Sequence, residues 1–307
     1  MADTRGDDSR VLIDNEFLQR LERLAIHWQK SLPGLVGGHN ASRFAGSGQE
    51  FLDHRQFHHG DDVRDVNWRA FMRLEKLFLK MFQLEPRIPV RIMLDTSKSM
   101  LTGGATSGDT GPSKFDYARK LAAALCYVGL VRLESICLVP FSGALGDPLV
   151  ISGGRHRIQP AVRFLTGLNA AGSTNFLEVV RQFVSRYPQR GVVFVISDFL
   201  DDADSEKPLQ YLADFGHEVI LTQIWADSDR EPPWDGELEL EDAETGKVVE
   251  VPFGADVRGT YTVAFDQYSA RLRDVALRNG GRYVGLSTAV AVEDAVFGPL
   301  LRTGAIQ

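Results

Sequence analysis

The order of apolar and polar positions divides the chain into two parts. From residue 90 onward, short continuous apolar runs alternate with segments whose apolar residues recur at helical spacing. The runs at 90–95, 135–141, 191–197, 218–225 and 281–286 read as buried strands, and 148–151 as a short edge strand. Between them, 114–133 places Phe115, Ala118, Leu121, Ala122, Leu125 and Val128 on one face, and 175–187 does the same with Phe176, Val179, Val180, Phe183 and Val184. Helices are also predicted over 157–168, 207–215, 265–278 and 291–301. Strands alternating with helices of this length specify βαβ units, and so an α/β fold with a doubly wound, mostly parallel sheet. The alternation is interrupted at about 229–261. There Pro232-Pro233, the alternating Glu237-Leu238-Glu239-Leu240, the turn Glu244-Thr245-Gly246-Lys247 and the run Val248-Val249-Glu250-Val251 predict an inserted β-hairpin with an acidic, solvated face.

Ahead of residue 89 the pattern differs. Phe17, Leu18, Leu21, Leu24, Ala25 and Trp28 sit at helical spacing over 15–30, with Asp14 or Asn15 as N-cap. Pro33 and the glycines at 34, 37, 38, 46 and 48 break it into a loop. Residues 50–85 form the densest polar segment, in which acids and bases alternate closely. The division predicted is a smaller appended α+β module over 1–88 and a main domain over 89–307, for a chain of 307 residues.

Two features of the first part suggest chemistry. Gly46-Ser47-Gly48 lacks both the third glycine and the G-K-[ST] ending of a phosphate loop. His54, His58, His59, Asp61 and Asp62 could gather a metal, but Gly60 interrupts the helix that would align them. Arg55, Arg64 and Arg69 offer partners for Asp53, Asp61, Asp62 and Asp65, so a structural ion-pair network is the favoured reading.

Composition narrows the function class. Hydrophobic content of 44% with 24% charged residues is that of a globular domain. A net charge of -7 argues against a nucleic-acid partner, which needs a clustered, uncompensated basic surface. The apolar stretch 121–131 is far short of the ~20 residues that span a bilayer, so no membrane insertion is expected. The polar N-terminus has no apolar core of a secretory signal, and the expected compartment is the cytoplasm. Cys126 and Cys137 are expected as buried free thiols.

The candidate chemistry lies where the strands end. Ile92-Met93-Leu94-Asp95-Thr96-Ser97-Lys98-Ser99 is an apolar strand ending in aspartate, followed by two hydroxyl residues at alternate positions. Gly172-Ser173-Thr174-Asn175 precedes a helix, and Val192 to Ser197 is a second apolar strand ending at Asp198. Open α/β sheets place their sites beyond the strands' C-terminal ends. Asp95, Ser97, Ser99, Thr174 and Asp198 offer only hard oxygens, the ligand set of Mg²⁺ or Mn²⁺. Five protein positions leave one of the six octahedral positions of Mg²⁺ open to water or to a partner's carboxylate.

In their order and spacing these three segments resemble the metal-ion-dependent adhesion site of von Willebrand factor A domains, which implies a Rossmann-like fold. A second resemblance covers more of the chain. Gly46, Gly48, Glu50, Phe51, Asp53, Arg55, Phe57, Gly60, Asp61, Asp62, Arg64, Trp68 and Arg69 match the signature of the bacterial domain-of-unknown-function 58 family. Asn67 departs from it, standing where the family has aspartate. The resemblance implies a von Willebrand A-like domain directly after this segment. It also implies a MoxR-type AAA+ ATPase as partner, in chaperone-like maturation of client proteins. A non-enzymatic, metal-dependent protein-interaction module is therefore expected, with a Mg²⁺-dependent phosphohydrolase as the alternative. No second aspartate stands two residues after Asp95, Lys98 alone is a poor phosphate clamp, and the Arg155-His156-Arg157 cluster reads as solvated loop.

Overall fold

The computed structural model describes residues 12–26, 50–58, 66–83, 89–104, 109, 111–132, 134–200 and 206–306. The chain separates into two compact units, Met1–Gln29 with Ile88–Gln307, and Lys30–Arg87.

Helix α1 (Asn15–Leu21) starts at Asp14, whose carboxylate accepts the Phe17 N–H at 2.7 Å. It ends at Leu21, shorter than its periodicity predicts, and Ile26 instead forms an isolated bridge with Ile306. Phe17, Leu21 and Leu24 are buried in the core of the larger unit. The first segment, grouped by its position with the N-terminal module, thus belongs with the sheet domain. Its apolar stripe has to be covered, and the sheet domain's helices cover it.

In the smaller unit, β1 (Glu50–Gln56) pairs antiparallel with β2 (Phe78–Gln83), with an irregularity between Phe51 and Asp53. Between them lies α2 (Trp68–Leu74), capped by Asn67, whose side-chain oxygen accepts the Ala70 N–H at 3.3 Å. Asparagine caps a helix as well as aspartate does, so the departure from the family signature leaves this hydrogen bond in place. Arg69 and His58 are exposed. His59, Asp61, Asp62, Arg64, Asp65 and the 46–48 glycine loop lie outside the described residues, as do the side chains of Asp53, His54 and Arg55.

The larger unit then runs β3 (Val90–Asp95), a 3-10 turn Lys98–Leu101, α3 (Lys114–Val131), β4 (Ile136–Phe141), β5 (Leu149–Ile151), α4 (Ile158–Gly167) and α5 (Phe176–Arg186). It continues with β6 (Val192–Ser197), α6 (Glu206–Asp214), β7 (Glu218–Trp225), α7 (Asp227–Arg230), β8 (Gly236–Glu241) and β9 (Val248–Phe253). The last elements are α8 (Ala255–Arg278), β10 (Arg282–Ser287) and α9 (Val292–Ala295), which passes into a π-helical turn at Val296–Leu300. Six strands form one sheet in the order β10-β7-β6-β3-β4-β5, all neighbours parallel except β5 against β4.

Helices cover both faces of this mixed α/β unit. Ile92 and Leu94 of β3 pack with residues of α1, α3, α4 and α9, and Met93 between them packs with residues of α5, α6 and α8. Alternate residues of one strand serve opposite cores, which is why the strand reads as an unbroken apolar run. At Gly129 of α3 a Cβ would lie 2.3 Å from the Ile136 Cδ1, so glycine lets this side chain of β4 pack directly on the helix backbone, and a larger residue would make it shift.

The region of the insertion differs in extent from its periodicity. The hairpin is confined to β8 and β9, and α8 begins at Ala255, ten residues before the predicted 265. The extra turns are mostly solvent-exposed and are held from outside the helix. The Tyr261 hydroxyl donates to the Asp229 carbonyl at 2.9 Å, and the Thr262 hydroxyl to the Arg230 carbonyl at 3.2 Å. A periodicity of apolar residues cannot report such polar anchors. Cys126 and Cys137 are free and buried, and burial pushes the Cys126 thiol up to about 12. Among the described residues no helix is long and apolar enough to cross a membrane.

Candidate functional site

The chain leaves β3 toward β4 and leaves β6 toward β7, in opposite directions along the sheet. This adjacency is a topological switch point, where loops from neighbouring strands part and open a crevice. Asp95 ends β3 and Asp198 follows β6. Both are almost fully buried, at 1% and 3% exposure.

The loop after β3 is built by its own polar groups. Asp95 Oδ1 accepts the Ser97 N–H at 2.8 Å, and its Oδ2 accepts the Ser197 hydroxyl at 2.6 Å. The Ser97 and Ser99 hydroxyls lie 3.0 Å apart. The 171–174 loop is tied across it, since Ala171 N–H donates to the Thr96 carbonyl at 2.7 Å and Lys98 N–H to the Gly172 carbonyl at 2.9 Å. Gly172 sits at φ +81°, a left-handed conformation that favours glycine, and the turn it makes brings Thr174 to the crevice. After Asp198 the chain turns through Phe199 at φ +54°, a conformation costly for a bulky residue. It is held by the Phe199 N–H donating to the Ser197 hydroxyl at 3.0 Å and by the Tyr268 hydroxyl donating to the Phe199 carbonyl.

All five predicted residues meet here. Asp95, Ser99, Thr174 and Asp198 line one small cavity of about 10 Å³, and buried Ser97 lies against it through Ser99 and Asp95. Several observations bear on whether a hard divalent cation fits. Two hydroxyl oxygens 3.0 Å apart match the edge of an octahedron with bonds of about 2.1 Å, which is also about 3.0 Å. Asp95 is pushed up to about 7, first by burial and then by the charge of Asp198, while hydrogen bonds from Ser197 and Ser97 offset part of the rise. A divalent ion bound beside Asp95 would favour its ionised form against this burial and the neighbouring charge of Asp198. Among the described residues no group of three or more His, Cys, Asp or Glu side chains is placed to hold a metal. A cation at this site therefore relies on hydroxyl as well as carboxylate oxygens.

Three participants were not predicted. Ser197, the residue before Asp198, locks Asp95 in place. Lys114, at the start of α3 and only 1% exposed, sets its ammonium 2.8 Å from Asp198 and 3.1 Å from Asp229. Burial works to discharge that ammonium, but Asp198 and then Asp229 outweigh it and hold its pKa above the usual value. Asp229 also caps the Ala226 N–H at 2.9 Å, which fixes α7 beside the site. Third, Glu244 from the inserted hairpin reaches the cavity and accepts the Thr174 N–H at 2.8 Å. A lysine at a helix start and a glutamate in an acidic turn look ordinary in sequence, so only contact across the fold identifies them.

Residues 53–271 match the family described as "Protein of unknown function DUF58". Uncharacterized proteins of Mycobacterium bovis and Mycobacterium tuberculosis are 26% identical over 263 residues, covering 85% of this chain and 80% of theirs. Among solved structures, the conserved hypothetical protein BatB from Bacteroides thetaiotaomicron is similar at 18% identity and a TM-score of 0.43, over 71% of this chain and 98% of that one. An aerotolerance-related membrane protein from Bacteroides fragilis is similar at 16% identity and a TM-score of 0.42, over 70% of this chain and 99% of that one. Neither structural similarity is strong enough to assign a function. The family match spans most of the chain, and this protein belongs to the DUF58 family.

Proposed function

We propose that the larger unit is a von Willebrand A-like domain and that the protein is a non-enzymatic, metal-dependent protein-interaction module. Asp95, Ser97, Ser99, Thr174 and Asp198 would hold Mg²⁺ or Mn²⁺, with the carboxylates acting directly or through water. Bound there, the ion supplies an electrophilic position for a carboxylate oxygen from a partner. The chain's own residues do the rest. Ser197 and the Ser97 N–H fix the rotamer of Asp95, the Gly172 turn presents Thr174, and Lys114 orients Asp198.

The observation that carries this reading is the convergence of those five oxygen-bearing side chains on the switch point of the sheet. Phosphohydrolase chemistry is less well supported. The Lys114 ammonium is engaged by two carboxylates and so is poorly placed to clamp a phosphoryl group. The proposed partners are a MoxR-type AAA+ ATPase or a client protein that offers a carboxylate, in the cytoplasm. Isothermal titration with Mg²⁺ and Mn²⁺ tests the site. The wild-type chain should bind one ion and Asp95→Ala none, and EDTA should release the ATPase or client from a pull-down. Equal heats for both proteins would remove the metal reading, and metal-dependent turnover of a phosphoester lost in Asp95→Ala would make the protein an enzyme.

A further inference from the structure

The five candidate ligands leave an open position, and the hairpin brings a carboxylate to the cavity that four of them line. Glu244 lies 70 positions beyond Thr174 in sequence, yet its Oε2 accepts the Thr174 N–H at 2.8 Å, and its Oε1 lies 3.4 Å from the Thr174 hydroxyl. The tip that carries it is shaped by its own hydrogen bonds. Asp242 Oδ1 accepts the N–H of Thr245 at 2.6 Å and of Glu244 at 2.9 Å. Asp242 N–H donates to the Lys247 carbonyl at 2.8 Å, Gly246 N–H donates to the Asp242 carbonyl at 2.9 Å, and Gly246 takes φ +70°. The direction of Glu244 is therefore set by the turn.

The stalk beneath the tip is built differently. β8 and β9 form a two-stranded sheet of their own, and most of their residues are exposed. Glu239 stands directly opposite Glu250, a like-charge pair that weakens the ladder. A two-stranded ribbon of this kind is marginally stable by itself. An ordered tip on a weak stalk can dock and release without disturbing the sheet.

On the reading of the site given above, we propose that Glu244 becomes an in-chain ligand of the metal site once an ion binds, its carboxylate turning from Thr174 onto the ion. Its carboxylate takes the position that a partner's carboxylate would take, so a partner binds by displacing the hairpin. If the hairpin fills the position about 90–99% of the time, an external carboxylate binds about 10- to 100-fold more weakly than to the open site.

The test uses the full chain with Mn²⁺ as the metal probe, water-proton relaxation as the readout, and acetate as the carboxylate probe. Glu244→Gln keeps the size and the hydrogen-bonding oxygen but loses the charge, and Glu237→Gln removes an exposed charge from the stalk opposite Pro252, away from the Glu239–Glu250 pair. Expected are Mn²⁺ binding by the wild type, a rise in relaxivity in Glu244→Gln equal to about one more exchanging water, and acetate affinity about tenfold higher or more. Glu237→Gln should match the wild type in both. Wild-type relaxivity and acetate affinity in Glu244→Gln, with Mn²⁺ binding lost in Asp95→Ala, would overturn the role of Glu244 and leave the metal site standing. An equal effect from Glu237→Gln would also overturn it, since general charge would then be the cause. A wild-type chain that binds no Mn²⁺ would overturn both readings.

Discussion

The strand ends at Asp95 and Asp198 and the tip of the hairpin at Glu244 meet at one cavity, yet they are built by opposite means. The strand ends are buried, crossed by hydrogen bonds from three loops, and backed by two hydrophobic cores. The hairpin packs little of its length and depends on its turn. Position at the sheet is set by burial, so a change there is felt by the whole domain. Position at the tip is set locally, so a change there is felt only where it docks.

The largest effect that sharpens this contrast is expected at Lys114. Lys114→Ala leaves buried Asp198 and partly buried Asp229 without their cation, and a cost of about 3–5 kcal/mol is expected by urea unfolding. Glu241→Gln on the exposed hairpin should stay within about 0.5 kcal/mol. Similar midpoints for the two variants would break the comparison. Next, Asp95→Ala should cost about 100-fold or more in Mn²⁺ affinity while unfolding cooperatively, because even groups that only support a ligand are worth about 10- to 100-fold. Titration calorimetry and circular dichroism together would check this, and loss of the fold would show that Asp95 is structural.

The effect of pH should follow from the raised Asp95. Its folded value of about 7 lies above the ordinary carboxylate value of 3.8, so the metal-free native state holds more protons than the unfolded chain between those limits. Stability from this group is therefore present at low pH and lost as pH rises toward 7. In EDTA, the melting temperature of the wild type relative to Asp95→Asn should fall between pH 5 and pH 8. Added Mg²⁺ should raise the melting temperature more at pH 8, where the carboxylate is ionised, than at pH 5. A difference independent of pH would contradict the crowding of the two carboxylates. The smallest effect is expected at Glu239→Gln, which relieves the pair with Glu250 and should steady the ladder by about 0.2–1 kcal/mol, seen as slower amide exchange confined to β8 and β9.

Much of the larger unit was legible because its strands are buried on both faces. β3, β4, β6 and β7 lie within a residue of their apolar runs, and α3, α4, α5 and α6 within two residues of their periodic segments. The errors fell where something other than periodicity decides. α1 stops early because Ile26 pairs with Ile306, and α8 starts early because Tyr261 and Thr262 find carbonyls on α7. The five oxygen donors could be named because each sits at a strand end or just before a helix, a position that sequence reveals.

By itself, then, the sequence determined the α/β class, the alternation of elements, the family and the oxygen-rich loops, since all of these are written in local order: the period of apolar residues and the residues next to each turn. The tertiary structure alone decided that β3 and β6 are neighbours and that α1 covers the sheet domain. It also decided that Lys114 answers Asp198 across 84 positions, and that Glu244 comes to Thr174 across 70. These contacts join segments whose local sequences carry no mark of each other. They arise when burial of the two cores sets the strand order and thereby brings distant charges within reach.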